Sequence, residues 1–334
     1  MGFTGPSNDA AAPGFDLCLA DDGIRDAYDR AVEGRWQHLD EFFASRSDAW
    51  LVQQVLADEA SQIQVTTFAD WAEAAPSTLS VTMMGLLQVR DAWKVRGDVD
   101  DANIDPAVQE QFVTRLELAE SSLMVATNFD RSSPVAWAAR VITARDLGMG
   151  LKELHTRFDK AHALDPFRPD ACSDMLQALT AKWGGNHELM FDFARWIERD
   201  APADSPARAA LPMAHLERAI APSSGVGSPD DDVRPSTYFS RPEVNAEVAT
   251  AASSFLDAVG GSVEPRHLFA LNAYLVALFP LAPATTELVE RLIGAIADRP
   301  TPLPWRYYRN DVVSGYQTVC AERREIASRF GQGT

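Results

Sequence analysis

Cysteine, lysine and long apolar runs are all scarce in this chain. Cys18, Cys172 and Cys320 stand far apart, with no CxxC pair. That spacing excludes a disulfide scaffold and a cysteine zinc site, and an odd count of thiols suits a reducing compartment. Lysine occurs only at 94, 152, 160 and 182, so arginine carries nearly all the positive charge. The arginines are dispersed rather than clustered as a phosphate clamp needs. With the abundant alanine, this bias reads as the coding habit of a GC-rich bacterial genome. The most apolar run, Leu268–Ala282, is interrupted by Asn272 and Pro280 and is too short to span a bilayer. Met1–Ala20 has neither a basic start nor an apolar stretch, so no secretory signal is expected and a cytoplasmic location is. Phosphate-binding loops, dinucleotide fingerprints, nucleophile elbows and HExxH helices are also missing.

Acidity is what the chain has in excess. Its net charge is −18, with a sequence pI near 4.7. Nucleic-acid backbones and anionic membranes repel such a surface, so neither is an expected partner. The richest basic stretch, Arg306–Arg309 with Arg323 and Arg324, reads as a solvated helix face. Hydrophobic residues make up 46% of the 334 positions, with eight Trp and sixteen Phe, enough for a sizeable core.

Helical periodicity runs almost throughout, and strand alternation is nearly absent. Phe112, Leu116, Ala119, Leu123 and Ala126 recur every three or four residues, as do Leu151, Leu154, Phe158 and Ala161. Val244, Val248, Ala251, Phe255 and Val259 repeat the pattern, and Trp305, Tyr308, Val312, Tyr316 and Val319 close the series. Each such stripe must be buried against a neighbour. Helices are expected near 22–33, 35–45, 48–61, 67–74, 77–95, 106–128, 133–147, 150–164, 170–183, 186–199 and 206–220. Four more are expected near 240–259, 264–279, 284–298 and 304–329. Asp105-Pro106, Ser133-Pro134 and Ser205-Pro206 each set a capping side chain before a proline at the first helical position. Ser240-Arg241-Pro242-Glu243 fits a capping box. The expected organisation is a disordered or loosely docked segment 1–20, a helical array 21–221, a linker 222–235 and a C-terminal helical bundle 236–330.

Helix pairs 133–164 and 170–199 have a period near that of tetratricopeptide repeats. Trp137 lies early in the first helix, and Phe158, Ala161 and Pro166 have the spacing of that repeat's late Phe, Ala and Pro, although Arg140-Val141 replaces its Leu-Gly and one extra residue falls in the Leu147–Gly150 turn. The run Lys182-Trp183-Gly184-Gly185-Asn186-His187-Glu188 resembles a signature of bacterial tetratricopeptide-like proteins of unknown function. The resemblance covers 110–200 best. It implies an all-α helical-hairpin array, an α-solenoid, and no particular chemistry. Independently of it, the glycine pair suits a helix end with positive φ, and Asn186 suits the next cap.

Several constellations have residue types that could carry chemistry. His155, Asp159 and His162 share one strip of a helix but flank its core face, so a helix-stabilising role outweighs a metal site. Asp101-x-Asn103-x-Asp105 begins like a calcium loop, yet Pro106 and Phe112 stand where Gly and Glu are required. Asp230-Asp231-Asp232 reads as a solvated acidic loop. No metal and no cofactor is expected. Arg140, Arg145 and Arg195 lie beside apolar stripes and are candidate contacts for a peptide carboxylate, and Tyr307 and Arg309 are further candidates. The expected function is a non-catalytic scaffold or peptide-binding module. The alternative is an enzyme, or a helical accessory subunit, with its site in an interhelical pocket. A closed pocket with convergent polar groups favours the alternative; a shallow groove lined by aromatic and arginine side chains favours binding.

Overall fold

The computed structural model describes residues 16–97, 104–221, 235–278, 285–308, 316 and 319–320. Among them every regular element is helical and no strand occurs. The helices are α1 (Asp22–Val32), α2 (Leu39–Ala44), α3 (Ala49–Leu56), α4 (Val65–Ala74), α5 (Thr78–Arg96), α6 (Pro106–Phe129), α7 (Pro134–Asp146) and α8 (Leu151–Leu164). There follow α9 (Pro169–Ala178), α10 (His187–Asp200), α11 (Ala210–Ile220), α12 (Pro235–Phe239), α13 (Pro242–Val259), α14 (Leu268–Ala277), α15 (Thr286–Ile296) and α16 (Pro302–Tyr308).

The described residues fall into two compact units, Ala20–Phe193 and Ala194 onward with 16–19, the division lying inside α10. The linker expected at 222–235 lies almost wholly outside the described residues. At the chain's start, Cys18 and Leu19 are buried.

In the first unit α5 and α6 form a long hairpin, α7 and α8 a second, and α9 packs on both α7 and α8. The stripe Phe112, Leu116, Ala119, Leu123, Ala126 is fully buried against α5. Gly85 allows the close approach, because a Cβ there would lie 2.6 Å from Leu123 Cδ2. Alanines at 136, 138, 139 and 144 let α7 press against α5 and α8 in the same way. Phe158 is 4% exposed, stacks on His162 and meets Phe193 edge-on at 5.2 Å.

In the second unit α14 is the centre, with α11, α13, α15 and α16 around it. Its residues 268 and 270–277 are buried all round, the mark of a core helix. The polar exception is satisfied. Asn272 Nδ2 donates to the Leu268 carbonyl at 2.8 Å, and Asn272 Oδ1 accepts from Trp305 Nε1 at 2.6 Å.

The proline-adjacent caps form as expected: Asp105, Ser133 and Ser205 accept from the backbone N–H of Ala107, Ala136 and Ala207. The box at Ser240 does not. There α13 starts at Pro242 behind Arg241, which makes no side-chain cap. Reciprocal boxes occur instead at Ser77/Ser80 and Glu264/His267. The helix expected to run to 183 stops at Ala178. Thr180 turns extended, its hydroxyl donates to the Gln177 carbonyl at 2.7 Å, and a single 3-10 turn, Ala181–Trp183, follows. The helix expected over 48–61 likewise stops at Leu56, ahead of a turn in which Asp58 accepts from Ala60 N–H. Of the expected 304–329 helix, most lies outside the described residues.

Candidate functional site

Glycine punctuation positions the most conspicuous cluster. Gly184 takes φ of +88°, and a Cβ on Gly185 would come within 2.0 Å of the Leu179 carbonyl oxygen. Only glycine fits that second position, since the clash is with backbone that cannot rotate away. Asn186 then caps α10, its Oδ1 accepting from Leu189 N–H at 2.9 Å. The turn carries Trp183 to α5, where it meets Trp93 edge-on at 6.1 Å. Trp93 continues to Phe112 at 5.0 Å.

Charge is laid over this aromatic row. The Arg145 guanidinium sits 5.2 Å over the Trp183 ring, and that of Arg96 sits 5.2 Å over Trp93. Arg145 Nε donates to Asp146 Oδ1 at 2.7 Å, and Trp93 Nε1 donates to Asp146 Oδ2 at 2.8 Å. Asp174, on α9, is held by Arg145 Nη1 only at 3.4 Å. Burial pushes its carboxyl up to about 7; Arg145 pulls the other way, and Asp170 and Asp146 add to the rise. A carboxyl raised toward neutrality, an arginine and two tryptophans thus converge where α7 packs against α5 and α9.

A buried clasp joins α6, α7 and α8. Glu120 of α6 accepts from Arg140 Nη2 at 2.8 Å, from Arg157 Nη1 at 2.9 Å and from the Thr143 hydroxyl at 2.5 Å. Arg157 also donates to the Arg140 carbonyl at 2.7 Å, tying α8 to α7. Arg140 covers the Trp137 ring at 5.2 Å.

The second unit holds an open cleft of about 520 Å³ among α10, α11 and α13. Arg195, Glu198, Arg199 and Glu247 are its charged lining, over Leu211, Ala246 and Ala251. Arg195 Nε donates to Glu247 Oε1 at 2.7 Å, and Glu247 Oε2 lies 3.2 Å from His215 Nε2. His215 Nδ1 lies 2.8 Å from the Tyr238 hydroxyl. Burial lowers the imidazole to about 4, against the pull of Glu247, and raises the Tyr238 phenol to about 12. The neutral ring donates from Nε2 to Glu247 and accepts from Tyr238 at Nδ1. The order carboxylate, imidazole, hydroxyl is that of a nucleophile with its base. Yet His215 and Tyr238 are 2% and 6% exposed, and neither lines the cleft. The chain of bonds pins α12 to α11 and α13 rather than presenting a reactive oxygen.

Of the candidate arginines, Arg140 and Arg145 share α7, and Arg195 belongs to the other unit. All three have a carboxylate of the chain within hydrogen-bond or ion-pair distance. The Tyr307 side chain, Arg309 and the triple aspartate at 230–232 lie outside the described residues, as do positions 101–103 of the calcium-like run. His162 Nδ1 accepts from Phe167 N–H at 3.2 Å, its ring between Phe158 and Phe167. Sequence reading passed over Asp174, Trp93, Glu120 and His215. None belongs to a recognisable motif, and nothing local distinguishes it from an ordinary polar or packing residue. Set against known proteins, the chain matches no family model, no curated protein and no solved structure.

Proposed function

We propose that this chain is a non-catalytic binding module that holds a protein or peptide segment on a tetratricopeptide-like array of helical hairpins. The observation that carries the reading is the face where α5, α7 and α9 adjoin: it gathers Trp93, Trp183, Arg145 and Asp174, and Arg145 and Asp174 keep 12% and 22% of their side-chain surface exposed. Tryptophan and arginine are among the residue types that most often anchor partners. The carboxylate partners already on Arg145 shift the expected recognition from a bare carboxylate clamp to aromatic packing tuned by charge. The catalytic alternative has less support, because the groups with the strongest shifts in the second unit are sealed from the cleft. A cytoplasmic setting accords with Cys18 and Cys172, both buried and neither in a disulfide. No helix among the described residues is long and apolar enough to cross a membrane.

The test is selection of binding segments from a random peptide display library on the full chain. Binders are expected to protect backbone amides of 93–96, 145–146 and 181–183 from hydrogen exchange and to weaken at least about tenfold with Trp183→Ala. Asp174→Asn, nearly isosteric, is expected to alter affinity without loss of fold. Absence of binders, or binders that map elsewhere, overturns the reading.

A further inference from the structure

Where α7 packs against α5 and α9, the charges do not balance. Asp174 feels one nearby cation, Arg145, against the carboxylates of Asp146 and Asp170. Two of these three acids are already served. The Asp146 side chain is wholly buried, with Arg145 Nε on one oxygen at 2.7 Å and Trp93 Nε1 on the other at 2.8 Å. Asp170, one turn before Asp174 on α9, pairs with Arg168 at 2.8 Å. Asp174 has the 3.4 Å contact from Arg145, made on Oδ1. Its Oδ2 has no hydrogen-bond partner among the described residues, and 22% of its side chain is exposed. Trp93 and Trp183 stand half-buried beside it. The Arg145 guanidinium touches both the Trp183 ring and Asp174, so the ring and the carboxylate are close enough for one long side chain to meet both.

A carboxylate that has lost water and lacks a full partner gains most from a cation brought to it, because a charge-assisted hydrogen bond restores what dehydration removed. Asp146 already neutralises Arg145, so the charge in excess at this place is negative. An acidic group from a partner would meet that excess as well as a chain of net charge −18, whereas a basic segment is drawn in by both. Lysine and arginine also have the right shape: the alkyl stem lies along an indole while the head reaches the carboxylate. We propose that the segment held on this face presents a lysine or arginine to Asp174, so that the partner is basic. The proposal rests on the binding-module reading above and adds the charge of what is bound. It reverses the expectation that the arginines of this array await a partner's carboxylate.

The experiment uses random-library peptides selected on the full chain at about pH 8, above the Asp174 value of about 7, and mapped to this face by hydrogen exchange. They are expected to be enriched in Lys and Arg over Asp and Glu, relative to the unselected library. General attraction to an acidic chain also enriches basic residues, so a double-mutant cycle supplies the decisive reading. Each Lys or Arg of one selected peptide is replaced singly by Gln. At one position the replacement is expected to weaken binding at least about tenfold. Asp174→Asn is expected to weaken the parent peptide by a similar factor and to leave that Gln peptide nearly unchanged, with circular dichroism confirming the fold. Peptides that bind this face without basic enrichment, or an Asp174→Asn effect of equal size on the parent and on every Gln peptide, overturn the proposal and leave the binding-module reading standing. Failure to find any peptide that maps to this face overturns both.

Discussion

The two units reach a buried polar interior by opposite routes. The first clasps its helices with arginine. Arg157 and Arg140 close on Glu120, Arg46 joins Asp21 to Asp48, and Arg168 reaches Asp165, Asp170 and Gln53. The second surrounds an apolar helix mainly with neutral hydrogen bonds, Asn272 to Trp305 and His215 to Tyr238, with the ion pair Arg208–Glu198 beside the Tyr274 hydroxyl. The difference follows from the helices each must join. In the first unit, α6, α7 and α8 bring polar faces together, and a planar guanidinium can serve two helices at once. In the second, α14 is apolar on every side and has few polar atoms to satisfy.

The sharpest way to break this contrast is Glu120→Ala. Removing the carboxylate leaves two guanidinium groups facing each other in a buried site, and a loss of about 3–5 kcal/mol is expected by urea denaturation. A loss below about 1 kcal/mol would show that the clasp is held by water and not by its ion pairs. Phe158→Ala is expected to cost toward the lower end of about 3–5 kcal/mol, because His162 and Phe193 can settle into part of the void. It tests packing in the same hairpin without touching a charge.

The units also differ in their response to pH. Asp174 has its carboxyl raised from 3.8 to about 7, so the folded chain binds more protons than the unfolded one between those values. Its contribution is most favourable below pH 3.8 and is lost as pH rises through 7. Asp174→Asn is therefore expected to stabilise the chain by about 2 kcal/mol near pH 8.5, short of the ~4 kcal/mol that the whole shift represents, because the carboxyl keeps some solvent contact. Near pH 4 the gain should vanish. A gain independent of pH means that Asp174 is not the titrating group.

His215 works in the reverse sense. Its folded value of about 4 lies below the ordinary 6.5, so the unfolded chain binds the extra proton. Stability from this site is complete above pH 6.5 and declines as pH falls toward 4. The expected contribution is the smallest of the set, about 1 kcal/mol by pH 5, because Glu247 offers the charged ring a partner. An NMR titration in which the His215 ring signals stay fixed from about pH 7.5 to pH 5 checks it; a midpoint near 6.5 removes the contrast.

Local rules accounted for the helices and most of their buried faces. The stripes 112/116/119/123/126 and 244/248/251/255/259 are buried throughout, because a 3.6-residue repeat of apolar side chains has one way to leave water. The caps at Asp105, Ser133 and Ser205 formed because a short oxygen-bearing side chain ahead of proline meets amides that have no other partner. Ser240 shows the limit of such patterns: Arg241, not Ser240, stands at the cap position, and its side chain makes no cap. The candidate site was less legible. Trp183 and its glycine pair were visible as the end of a helix, but Trp93, ninety residues earlier, and Asp174 on another helix were not visible as its companions. The near-neutral titration of Asp174, the neutral His215 and the clasp on Glu120 come from dehydration by residues distant in the chain, and sequence spacing carries no record of which water is excluded. Periodicity acts within a turn or two of helix, so the chain declares it locally. Burial of charge depends on which helices meet, and it comes into being only when they pack.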